Sequence, residues 1–121
     1  MSDDFGFLIR MVGTPFLLRF FFDPGSGICL WAGNDAAREQ FGYAVAASSL
    51  PIPDNLHREI EGACSDFNTS IDWANPAGPS PWSPTERAAF DARADQLLSH
   101  VRLALGPPFE VRDERDFRAG G

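Results

Sequence analysis

A chain of 121 residues with 44% hydrophobic and 22% charged residues is expected to form one domain with its own core, without metal or disulfide staples. Its net charge of −7 argues against a nucleic-acid partner, because phosphate binding needs a positive field, and favours a partner with a basic surface. All 10 basic residues are arginine, which excludes Schiff-base and P-loop lysine chemistry from these residues and fits the codon usage of a GC-rich bacterial genome.

The N-terminal MSDDFGFLIRMVG starts acidic and lacks the basic region of a signal peptide, so a cytoplasmic protein is expected. Residues 5–12 read as a strand, broken by Gly13-Thr14-Pro15. Residues 16–22, FLLRFFF, are apolar on both faces, the pattern of a central strand covered on both sides. The run contains Arg19 and is far too short to span a bilayer, so no membrane partner is expected. Asp23-Pro24-Gly25-Ser26-Gly27 signals a turn, and ICLWA over 28–32 completes an antiparallel hairpin.

Asn34 or Asp35 can cap a short helix, AAREQF, which Gly42 ends by taking a left-handed angle. Residues 43–52 are irregular. A second helix is expected from about Pro53 to Ile71, because Leu56, Ile60, Ala63, Phe67 and Ile71 recur every third or fourth residue. A third begins at Ser83-Pro84-Thr85-Glu86, a capping box with serine at the cap, proline at the first helical position and glutamate at the third. Phe90, Ala94, Leu97, Leu98, Val101 and Leu105 continue its apolar face until Gly106-Pro107-Pro108 stops it. FEVR over 109–112 alternates like an edge strand, and a charged, frayed tail is expected from about 113. Together these elements predict an α+β fold in a single domain over 1–121. A small, mainly antiparallel sheet of three or four strands packs against an antiparallel two-helix hairpin, with Phe67 and Phe90 in the hairpin core, plus one short helix.

No catalytic pattern stands out. A metal site would draw on His57, Cys64 and His100, but no H-x-x-x-H, E-x-x-H or C-x-x-C spacing is present, so no metal or cofactor is expected. Gly25-Ser26-Gly27 lacks the strand-to-helix setting of a nucleophile elbow. Asp91 and Asp95 share a helix face, but acid–base work would require burial of one of them. Cys29 and Cys64 are far apart in the chain and read as buried, reduced thiols. The distinctive stretch is DFNTSIDWANPAGPSPWSPTE over 66–86, a connector that joins the two long helices and holds two of the three tryptophans. Its large rings either plug the core or anchor a partner. Trp82 precedes the cap Ser83 and can staple onto the first turn, on Arg87 or Ala88. Trp73 has no such local role and is the better anchor. Asp66, Asn68, Asp72, Trp73 and Trp82 form the expected partner-binding set.

Leu30-Trp31, Asn34-Asp35-Ala36-Ala37-Arg38, Phe41-Gly42-Tyr43, Leu50-Pro51, DFNTSIDW over 66–73 and Pro79-Ser80-Pro81-Trp82-Ser83 resemble segments shared by a group of small bacterial proteins from GC-rich genomes. The likeness covers roughly residues 28–112. In size, acidity and lack of catalytic motifs the chain is also similar to the immunity proteins of bacterial toxin systems. That resemblance implies a non-enzymatic binding module that blocks the basic active site of a cognate toxin with acidic residues and Trp73. Two other readings stay open: a small enzyme or ligand-binding protein with the 66–83 loop as a pocket lid, and an accessory subunit of a larger assembly. A deep pocket behind the loop holding Asp66 and His57 would favour the first, and a broad exposed apolar sheet face the second.

Overall fold

A computed structural model describes residues 15–115, so the strand expected over 5–12 lies outside the described residues. β1 (Phe16–Phe20) and β2 (Leu30–Ala32) pair antiparallel, with Leu18 opposite Ala32 and Phe20 opposite Leu30. β3 (Phe109–Asp113) pairs with the other edge of β1, making β1 the central strand as its doubly apolar sequence requires. This second pairing is parallel, with Phe16 opposite Phe109, so the three-stranded sheet is mixed. The connectivity allows this direction. Parallel neighbours need a long crossover, and all the described helices lie between β1 and β3 in the chain.

The helices are α1 (Asp35–Phe41), α2 (Asp54–Phe67) and α3 (Pro84–Leu105). Asn34 caps α1 by accepting the Ala37 N–H at 2.9 Å, and Gly42 ends it at φ 85°. α2 stops short of the expected Ile71. Asn68–Ser70 tighten into a 3₁₀ turn instead, and the Thr69 hydroxyl donates to the Asp66 carbonyl at 2.7 Å. A hydroxyl that satisfies a terminal carbonyl in this way competes with helix continuation. α2 and α3 run antiparallel: Glu59 meets His100 at 3.0 Å, and Asp66, later in α2, meets Arg93, earlier in α3.

The capping box at the start of α3 is complete. The Ser83 hydroxyl accepts the Glu86 N–H at 3.1 Å, and the Glu86 carboxylate accepts the Ser83 N–H at 2.8 Å. Ser83→Ala is expected to lower stability by about 1 kcal/mol, read as a shift in the denaturant midpoint at unchanged m-value. No change would mean that the helix end is held by packing alone.

The core lies between one face of the sheet and the helix pair. Leu18 and Phe20 on β1, Leu30 on β2, Leu97 and Val101 on α3 and Ala63 on α2 are all shielded from solvent. Each large apolar side chain buried there contributes about 1.5–3 kcal/mol of transfer free energy. Residues 113–115, expected in the frayed tail, are tied down. The Glu114 N–H donates to the Phe20 carbonyl at 2.9 Å, and the Arg115 guanidinium pairs with Asp113 at 2.8 Å and Asp95 at 2.7 Å.

Candidate partner-binding site

Asn68 is the hub of the connector. Its side-chain oxygen accepts the Gly25 N–H at 2.7 Å, and its backbone carbonyl accepts the Trp73 indole N–H at 2.9 Å. Gly25 sits at φ 86°, and a Cβ built there would lie 3.3 Å from the Trp73 ring. The connector is therefore latched onto the β1–β2 turn, with the Trp73 ring lying over that turn. The ring remains 56% exposed although its polar end is satisfied. An exposed aromatic already fixed in place loses little side-chain entropy when it is covered.

Trp82 has the other role. Its indole N–H donates to the Thr69 hydroxyl at 2.8 Å, and its ring packs on Phe90 at 5.0 Å and on Phe67 at 6.2 Å. The Arg87 guanidinium lies over it at 5.7 Å, so Trp82 meets the first turn of α3 through a cation–π contact where a hydrophobic staple was expected. Trp82 closes the end of the core and Trp73 is presented outward.

The acidic residues divide similarly. Asp66 is ion-paired with Arg93, so its charge is partly spent on the helix pair. Asp72 stays exposed while shaping the connector: its carboxylate accepts the Ala74 N–H at 3.0 Å and its carbonyl the Asn75 N–H at 2.8 Å. Asp23, in the turn that carries Gly25, is also exposed. Among the described residues neither Asp23 nor Asp72 makes an ion pair. Asp72 adjoins Trp73 in the chain, and Asp23 belongs to the same turn as Gly25, over which the Trp73 ring lies. The sequence marks Asp23 and Gly25 only as turn formers, because the bond from Gly25 to Asn68 spans 43 positions.

The other candidates separate. His57 pairs with Glu61 at 3.1 Å, His100 pairs with Glu59, and Cys29 and Cys64 are buried free thiols. Among the described residues no group of three His, Cys, Asp or Glu side chains is placed to hold a metal ion. Asp95 is engaged by Arg115 and Asp91 is exposed. A cleft of about 100 Å³ includes His57, but residues 27–29 and 45–48 with Ile60 and Glu61 form the rest of its lining, so neither Asp66 nor the 66–83 loop forms its wall. On the outer sheet face Trp31 stacks with Phe21 at 5.0 Å, and Arg19 beside it binds Glu114 at 2.7 Å. Trp31 is only 7% exposed, so this face is closed by aromatic stacking and ion pairs. No described helix is long and apolar enough to cross a membrane.

Among curated proteins no sequence matches this chain. A family model matches residues 26–113, from the turn beneath Trp73 to the last residue of β3. The chain belongs to that family, the Serratia CdiI immunity protein-like proteins.

Proposed function

We propose that this protein neutralises a cognate bacterial toxin by covering the toxin's basic active site, binding rather than catalysing, in the cytoplasm of the cell it protects. Membership of an immunity-protein family supports the class of function. The observation that supports this surface is the exposed, latched Trp73 beside the unpaired Asp72 and Asp23. A central aromatic anchor with a charged rim suits a complementary basic partner. The net charge of −7 would steer such a partner at long range. Asp66 and Asn68 hold this surface in shape, and Trp82 supports it from the core side. The pocket-lid alternative lacks its wall, since the cleft with His57 is lined by residues outside the loop.

The test is stopped-flow association with the toxin domain of the protein's own locus, alongside a toxin activity assay. Wild-type protein should abolish toxin activity at a stoichiometric ratio. Combined Asp23→Asn and Asp72→Asn should lower the association rate by about tenfold at low salt and flatten its salt dependence. Binding that leaves the toxin active would overturn occlusion, and an unchanged salt slope would move the interface elsewhere.

A further inference from the structure

The cleft of about 100 Å³ lies between the end of the β1–β2 turn, residues 45–48 and α2. Its buried lining residues, Cys29, Val45 and Ile60, make an apolar floor, and the exposed ones, Gly27, Ser48 and Glu61, make a rim. Pockets for free small molecules run to about 300–1,000 Å³, so this one is too small for such a ligand. A single water needs only about 10–15 Å³, so there is room for one slim side chain.

Glu61 gives the cleft its charge. Its side chain is 66% exposed, and its Oε2 lies 3.1 Å from His57 Nε2. Among the described residues no arginine pairs with it. The histidine contact is to Oε2, which leaves Oε1 for a guest. One open oxygen suits the compact ammonium of a lysine better than the paired N–H fork of an arginine. A purely apolar guest would cover the carboxylate without giving it a partner, which costs free energy. A lysine satisfies both parts of the cleft, since its stem can lie on apolar surface while its ammonium stays at the rim.

The cleft adjoins the surface that carries Trp73. The Trp73 ring lies over Gly25, and Gly27, two residues on, belongs to the cleft rim. Two residues span at most about 7 Å, whereas a standard interface covers about 800 Å² of each partner. A partner seated on Trp73 therefore reaches the cleft.

On the reading that Trp73 anchors a toxin, we propose that this cleft takes one lysine side chain of that toxin, its stem on Cys29, Val45 and Ile60 and its ammonium on Glu61. Trp73 and the lysine site would then be two neighbouring anchor points of one interface, one apolar and one charged.

This chain contains no lysine, so a lysine joined to any of its carboxylates must belong to the partner. The experiment treats the full chain, in complex with the toxin domain of its own locus, with a water-soluble carbodiimide, which joins carboxylates to amines in direct contact. Peptide mapping should find Glu61 joined to one toxin lysine. Glu61→Gln should raise the Kd by roughly tenfold, with the melting temperature of the isolated protein unchanged because the side chain is exposed. Changing the joined toxin lysine to methionine should give the same loss, with no further loss when the two changes are combined. Absence of a cross-link at Glu61, or unchanged binding by Glu61→Gln, would overturn the lysine site. The Trp73 reading survives that result if Trp73→Ala still weakens the complex. A toxin that the wild-type chain does not bind would overturn both. A Glu61 cross-link and a weakened Glu61→Gln complex, with normal binding by Trp73→Ala, would support the lysine site and remove Trp73 as the anchor.

Discussion

Phe90→Ala is expected to lower the unfolding free energy by about 3–5 kcal/mol. The side chain is 8% exposed and sits where the sheet, the helix pair and the connector meet. Its ring lies 5.1 Å from Phe22, 5.5 Å from Phe67 and 5.0 Å from Trp82. Removing it forfeits the transfer free energy of a large ring and leaves a cavity that three other aromatics cannot fill without leaving their own contacts. Small domains are stable by only about 5–15 kcal/mol, so this one change takes a large share. Phe67→Ala should cost less, because Phe67 is only partly buried at the edge of the same cluster. Denaturant titration measures both. Equal losses, or a loss near zero at Phe90, would show that the cluster does not carry the helix pair.

Trp73→Ala is expected to raise the dissociation rate of the toxin complex by roughly thirtyfold, equivalent to about 2 kcal/mol, with little change in association rate. The ring is more than half exposed, so its removal takes little from the core. What the isolated protein loses is one indole hydrogen bond to Asn68 and a contact with the turn at Gly25. That loss is worth about 1 kcal/mol at most for an exposed bond. The two measurements distinguish anchor from plug. Kinetics should change strongly and the melting temperature slightly. The reverse pattern, normal binding by a protein that melts easily, would make Trp73 part of the core and place the interface elsewhere.

The features legible in the sequence are those whose causes lie within a few residues. The capping box at Ser83, the cap at Asn34 and the turn over 23–27 are local hydrogen-bond chemistry, and each appears as expected. The apolar rows of α2 and α3 also predict their buried faces, because helical spacing alone decides which side chains align. Ile71 continued the α2 row, yet the helix had already ended, since periodicity does not weigh the hydroxyl of Thr69 against the next turn. The direction of β3 was not legible, because alternation in a strand says which face is buried and nothing about which way its neighbour runs. The candidate site was half legible. Trp73 stood out for want of a local role, but its support by Gly25 and Asn68 depends on a contact between distant segments. Asp66 looked like a free acid until α3 brought Arg93 beside it.

The central strand is made early and completed late. β1 is among the first described residues to be synthesised, and β3, its parallel neighbour, is among the last. At roughly 5–20 residues per second a nascent chain holds β1 with one edge unpaired for several seconds. Such an edge is open to pairing with other chains. Neither the hairpin nor the helix pair can close the sheet alone, so a chain cut anywhere before Phe109 is expected to leave that edge of β1 open. If the protein neutralises a toxin as proposed, the interval between synthesis of β1 and of β3 sets how far ahead of that toxin it must be made.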